Sequence, residues 1–207
     1  MIALTLLILM SSSYVILSAP FENCQLPHNR ELDVDKLSNS SWYVGLQTKD
    51  IASNILTCDR LNNFTSTDSG FSFVVKEHNY RDVEFVVHMN WNKNRNYHMS
   101  RKEDGAELYA AHAREMNGNY NAAIRAMADD YFFIANWLFL TDYTNYFAVF
   151  LCPTMKFCDT DLHIVWGYFP SPTPTLKQIA AFYNALHDQG ISAKFHVSDC
   201  SEVNWSD

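Results

Sequence analysis

Residues 137–152, WLFLTDYTNYFAVFLC, set two apolar runs on either side of a polar corner. Trp137-Leu138-Phe139-Leu140 leads in, Thr141-Asp142-Tyr143-Thr144-Asn145 turns, and Tyr146-Phe147-Ala148-Val149-Phe150-Leu151 leads out to Cys152. Aromatic and β-branched residues bounding an Asp/Asn/Thr cluster predict a β-hairpin. Ser41–Thr48 alternates as a half-buried strand, with Trp42, Val44 and Leu46 on one face. Cys58–Thr67 and Phe71–Glu77 are two further strands divided by Thr67-Asp68-Ser69-Gly70. Asp82–Met89, Asp161–Tyr168 and a short Ala193–Val197 complete the clear ones. Short strands at near-regular spacing predict an antiparallel barrel or sandwich.

Other stretches carry weaker patterns. Asn90–Met99 is polar and Asn-rich, which predicts an exposed loop or hairpin tip. Gly105–Arg114 and Asn119–Met127 contain alanines that favour helix, yet Asn117-Gly118 between them suits a hairpin, and context favours strands. Leu32–Leu37 is long enough for one short helical turn. Thr175–Gln189 predicts an amphipathic helix, with Leu176, Ile179, Ala180, Tyr183 and Leu186 at helical spacing. Gly190 stops it, and Thr173 or Thr175 caps its start.

The first 19 of the 207 residues change the picture of compartment. The apolar run Ile2–Met10 is too short to span a bilayer and leads to small residues near Ser18-Ala19, the pattern of a cleaved secretory leader. Residues 20–207 then form one domain, large enough to bury its own core. No later segment is apolar for long enough to cross a membrane as a helix. The formal charge of −8, without Lys/Arg blocks, disfavours nucleic-acid and anionic-membrane partners. The five cysteines, Cys24, Cys58, Cys152, Cys158 and Cys200, read as two disulfides and one thiol in a secreted chain, with the pairing left open by number alone. Asn39, Asn63 and Asn204 head three sequons and are candidate glycan sites in that compartment.

Thr141-Asp142-Tyr143-Thr144-Asn145-Tyr146 between two strand-like runs, with Cys152 at the end, resembles the second signature block of the lipocalins. Leu32–Leu46 resembles their first, with Ser40 where glycine is usual and Trp42 lying across the closed end of the barrel. Trp166–Ser171 occupies the third block without its usual cation. The cysteine spacing is similar to that of the apolipoprotein D and insect bilin-binding (insecticyanin-type) group. The resemblance implies an all-β fold: an eight-stranded antiparallel up-and-down barrel with one C-terminal helix packed outside. It implies Cys24–Cys152 and Cys58–Cys200 as the disulfides, and Trp42 and Asp142 as residues that close the barrel. Between Glu77 and Trp137 the chain is longer than this pattern, and the excess is expected at Tyr80–Met99, in loops near the open end.

Catalytic and metal chemistry find little support. His78, His88, His98 and His112 match no helix-borne zinc pair, and the cysteines show no zinc-knuckle spacing; ordinary strand and loop histidines are expected ahead of a metal site or of haem ligation by one of them. There is no G-x-S-x-G elbow and no cysteine in a nucleophile's setting, so an enzyme is not expected. A barrel writes its pocket at period two. With register taken from the matched blocks, the inward set is Phe132, Ile134 and Asn136, then Phe147, Val149 and Leu151, then Leu162, Ile164 and Trp166. That lining is apolar and aromatic, as a hydrophobic ligand requires.

The leading expectation is a secreted carrier of a small hydrophobic ligand. The resemblance puts a bilin chromophore first, with lipids, sterols and odorants behind it, and no cofactor is required. The alternative is a secreted interaction protein acting through the Tyr80–Met99 loops or through a partner linked at Cys158. Scavenging a small amine such as histamine needs buried carboxylates inside the cup, and the inward set contains none.

Overall fold

A computed structural model describes residues 30–50, 53, 56–78, 82–92, 96–100, 132–152, 164–198, 200 and 203–205. The leader, Cys24, Cys158, Leu162, His112 and the segments Gly105–Arg114 and Asn119–Met127 lie outside them.

Nine strands form one sheet: β1 (Trp42–Thr48), β2 (Asp59–Thr67), β3 (Gly70–His78), β4 (Asp82–Trp91), β5 (Tyr97–Met99), β6 (Asn136–Thr141), β7 (Phe147–Cys152), β8 (Ile164–Phe169) and β9 (Phe195–Val197). Strands β1 to β8 pair antiparallel in sequence order, and β1 returns to pair with both β8 and β2. That contact closes an eight-stranded barrel. β9 adds to β1 beyond the point where β2 leaves it, Leu46 facing Val197 and Thr48 facing Phe195. Among the described residues a helix, α1 (Leu176–Asp188), lies on the outside.

Period-two alternation divides the buried residues into an inner and an outer cluster. Trp42, Val44, Phe71, Phe73, Phe139 and Phe147 belong to the inner one. Leu138, Ala148, Phe150 and Val165, from alternate positions of β6 to β8, join Phe182 and Leu186 of α1 in the outer one. Leu46 departs from the expected face. Val44 faces Tyr168 but Leu46 faces Gly167, so β1 carries one extra residue at Gly45, and Leu46 turns outward to the helix. A second irregularity lies between Asn62 and Thr65 of β2. Asn63 takes a left-handed backbone there, φ 52°, which asparagine tolerates better than most residues. Phe64 is thereby 2 % exposed in the inner cluster while Asn63 faces solvent. Asn39 and Asn204 are exposed as well.

The helix is held where the sequence placed it, with its face turned. Thr175 is the cap: its side chain accepts from the Gln178 amide, and Gln178 Oε1 accepts from the Thr175 amide at 2.8 Å. Gly190, φ 72°, ends it. The buried stripe is Phe182 and Leu186, with Ile179 and Ala185 beside them, whereas Leu176 is 85 % exposed. Tyr183 and Ala180 also lie on the outer side. Gly167 permits the close approach, since a Cβ there would sit 2.9 Å from the Phe182 ring.

The loop expected at Tyr80–Met99 is largely strand. β4 runs to Trp91 and β5 begins at Tyr97, with Asn92 N donating to Asn96 O across the turn. Tyr97 and Met99 are buried, because their side chains fall on the inner face opposite His98. The facing ends of β4 and β5 also lie at the closed end rather than the open one. Trp91 N donates to Ser69 O in the β2–β3 turn, and the Tyr97 hydroxyl accepts from Leu32 N of the N-terminal segment.

The closed end is fastened by the Thr141-Asp142-Tyr143 corner. Asp142 Oδ1 accepts from the amides of Thr144 and Asn145, and Oδ2 from the Asn145 side chain. Tyr143, with φ 62°, sends its ring under Lys36 Nζ, 4.9 Å from the centroid, and its hydroxyl accepts from Asp33 N. That stacked cation belongs to the 3-10 turn Val34–Lys36, not to the third block. Ser40 suits its unusual position: its Oγ accepts the Trp42 indole N–H at 2.7 Å. The Cys58–Cys200 disulfide forms as expected, Cα atoms 5.5 Å apart, and ties the C-terminal segment to the start of β2. Cys152 is also disulfide-bonded.

Partial burial raises the Asp142 carboxyl, but the hydrogen bonds of Asn145, Thr144 and Tyr146 outweigh it, and the net is below the ordinary value. A depressed folded pKa contributes stability above the unfolded value, about 3.9, and that contribution is lost as pH falls through the folded one. Asp142→Asn is therefore expected to lower Tm at pH 7 and to differ little from the parent near pH 2, by scanning calorimetry. Gly167→Ala is expected to cost about 1–3 kcal/mol by overpacking, read by urea denaturation.

Candidate functional site

Inside the barrel the two ends are filled differently. At the closed end aromatic rings pack face to edge. Phe71 contacts Phe139 at 5.4 Å and Tyr97 at 5.0 Å between centroids, Phe64 contacts Phe147 at 5.5 Å, and Trp42 covers Phe147 at 5.9 Å. This half is solid. Above it opens a small, mainly apolar cavity.

Of the nine inward residues expected from sequence, Phe132, Val149 and Trp166 line this cavity. Leu151 and Ile164 are in the inner cluster but not on the cavity wall, and Phe147 belongs to the aromatic floor. Asn136 is on the other face. β6 turns Trp137 and Phe139 inward and Leu138 outward, so Asn136, two residues before Leu138, is outward too. The register slips because residues 132–134 are helical and Ala135 is a bend, so Phe132 and Asn136 do not share one strand. Phe132 still reaches the cavity, its ring 5.6 Å from Trp137 and 6.1 Å from Trp166. Ile134 sits in the helical turn and is not on the wall.

Strands β2 to β4, which the inward set omitted, supply the remaining wall with Leu61, Phe73, Val75, Phe85 and Val87. They also supply two carboxylates. Asp59 and Glu77 line the cavity at 2 % and 3 % exposure and are direct cross-strand partners in the β2–β3 ladder. The expectation of a cup without buried carboxylates is thus overturned. Alternation does carry the signal: Asp59 lies two residues before Leu61, and Glu77 two after Val75.

Tyr168 continues the Ile164, Trp166 series and also lines the cavity. Burial raises its phenol well above the ordinary range, and the charges of Asp59 and Glu77 push the same way. All three polar groups therefore act on one region. Among the described lining residues there is no lysine, arginine or histidine. Arg60, next to Asp59, turns outward, where Nη1 donates to the Trp205 carbonyl.

The mouth is braced by a small polar network. Asp50 Oδ2 accepts from the Trp166 indole at 3.3 Å and from the Thr48 hydroxyl at 2.9 Å, while its Oδ1 accepts from Ser53 N. Gln47 Nε2 donates to Leu56 O, which holds Leu56 on the cavity wall. His78, His88 and His98 all alternate with inner-cluster residues and so face outward. Among the described residues no three His, Cys, Asp or Glu groups are placed to hold a metal ion.

The division into floor and cavity has a mutational signature. Phe147→Ala removes a ring from the solid half and is expected to cost about 3–5 kcal/mol. Val149→Ala, on a wall that already borders empty space, is expected to cost about 1–2 kcal/mol by the methylene scale. Urea denaturation of the two variants gives the comparison.

No protein-family model matches the chain, and no curated protein matches it in sequence. Its likeness to solved structures is one of shape. The cockroach allergen Per a 4 superposes with a TM-score of 0.52 at 13% identity, over 83% of this chain and 92% of the allergen. Apocrustacyanin C1 gives 0.50 at 14% identity, over 82% and 87%. Neither is named as an apolipoprotein D or insecticyanin-type protein, and at these identities the likeness concerns the fold alone. The chain has the lipocalin fold, an eight-stranded antiparallel barrel closed on itself, with a ninth strand and one helix outside.

Proposed function

We propose that this protein is a secreted carrier that encloses a small hydrophobic molecule in the upper half of its barrel. The observation that carries the reading is the apolar cavity standing on a solid aromatic floor. Phe132, Val149 and Trp166 are its ligand-contacting residues, joined by the β2–β4 wall. Burial supplies the affinity, about 0.8 kcal/mol for each methylene taken from water. The barrel and the Cys58–Cys200 bridge keep the wall preformed, so little ordering cost is charged against that gain. The leader pattern at residues 1–19 and the disulfide both suit an oxidising, extracellular setting.

Size and charge order the ligand classes. The enclosed space is small. A bilin, with four linked rings and two propionates, exceeds it and would bring carboxylates toward Asp59 and Glu77. A sterol is also large for the space. Ligands of odorant size fit better. The reading of an interaction protein loses its enlarged loop, because 82–92 and 96–100 are two strands and their flanks.

Binding of a neutral apolar dye, N-phenyl-1-naphthylamine, tests the carrier reading. Saturable one-to-one binding with a blue-shifted emission is expected, weakened in Val149→Phe, a variant whose larger side chain occupies the cavity. An unsaturable response, or the same affinity in a folded Val149→Phe, would count against it.

A further inference from the structure

We propose that Tyr168 selects the ligand: an uncharged molecule of odorant size whose carbonyl oxygen accepts a hydrogen bond from the Tyr168 hydroxyl at the base of the cavity. This rests on the carrier reading of the same cavity and narrows it to one chemical class.

Three of the described lining residues carry a neutral N–H or O–H donor: Trp137, Trp166 and Tyr168. Both indoles are already engaged. Trp137 Nε1 donates to the Phe132 carbonyl at 2.8 Å, and Trp166 Nε1 donates to Asp50 Oδ2 at 3.3 Å. The phenol of Tyr168, 3 % exposed, is therefore the donor that this wall offers a ligand. The neighbouring acids do not consume it. Asp59 and Glu77 act on Tyr168 through their charge, and no hydrogen bond to a carboxylate or to the backbone joins burial and charge among the causes of its shift. Burial and those two charges keep the phenol protonated, so it remains a donor at neutral pH.

Its place in the ladder sets how a ligand meets it. Tyr168 faces Phe147 of the floor across β7 and β8, whereas Trp166, two residues earlier, faces Val149 of the cavity wall. The phenol thus stands where solid core gives way to cavity, and a ligand reaches it with its leading end. A carbonyl carried from water into an apolar space costs free energy unless a donor meets it, and Tyr168 meets it. A purely apolar ligand would bury the same hydroxyl without a partner, which folded proteins avoid. A carboxylate is turned away, because the described lining contains no base and the charges of Asp59 and Glu77 act on the same spot. The rings of Phe132, Trp137 and Trp166 receive the apolar body. A mainly apolar pocket with a precisely placed polar group is how orientation is fixed in small-molecule sites.

Acetophenone and α-methylstyrene share a shape, the ketone oxygen of one standing where the other has a methylene. Each is titrated by displacement of N-phenyl-1-naphthylamine at neutral pH from the parent and from Tyr168→Phe, which keeps the ring and removes only the hydroxyl. The substitution is expected to weaken acetophenone about threefold or more and not to weaken α-methylstyrene. Benzoate is expected to leave the dye in place. Carbonyl-labelled acetophenone supplies a direct signature: its infrared carbonyl stretch is expected to lie lower in the parent complex than in hexane, and to return to the hexane position in Tyr168→Phe. Should the variant fail to fold, the parent spectrum decides alone, a band at the hexane position overturning the inference. Equal weakening of the two probes, no weakening of either, failure of acetophenone to displace the dye, or benzoate binding as tight as that of acetophenone would overturn it also, while dye binding leaves the carrier reading standing. Failure of the dye itself to bind would instead remove the carrier reading on which the inference rests.

Discussion

A floor of interlocked aromatic rings lets the rest of the barrel stay hollow. Phe64, Phe71, Tyr97, Phe139 and Phe147 meet one another at centroid distances of 5.0 to 5.5 Å in the closest contacts. Ring pairs of this kind add about 0.5–1.5 kcal/mol each beyond the area they bury. With that end filled by buried rings, the opposite end is free to hold a cavity and two acidic side chains.

Two seals support the floor. The Asp142 corner fixes a turn whose Tyr143 reaches the N-terminal segment, and Trp42 lies on Phe147 with its indole bound to Ser40. Outside, Gly45 and Gly167 let Phe169 and Phe182 come close, so the helix buttresses β1 and β8 without touching the cavity. The inner and outer clusters share no residue. Changes that weaken the helix contact are thus separated by the sheet from changes that alter the ligand.

The strands other than β5, the closing corner and the helix were legible in the sequence because each rests on a local signal. Alternation marked β1, turn residues marked 141–145, and Thr173 or Thr175 marked the helix start. The errors arose where one residue shifts a period. The bulge at Gly45 turned Leu46 outward, and the helical turn at 132–134 put Asn136 on the wrong face. The helix stripe was centred on Leu176 and Tyr183 rather than Phe182, because apolar side chains occur on both sides of the cylinder and only packing selects between them. The acidic pair went unseen for a different reason. Its positions follow from alternation in β2 and β3, but a carboxylate at an inward position reads as an interruption of the apolar pattern.

The seam between β1 and β2 is short. It consists of Trp42 facing Leu61 and Tyr43 facing Arg60, whereas β3 and β4 are zipped over nine facing pairs. Ladders with few rungs part more readily than long ones. Asp59 begins its strand immediately past that seam, next to Cys58, whose sulfur bridge leads to Cys200 near the end of the chain. A short joint of the wall therefore lies beside its most polar spot, with a covalent tether next to it.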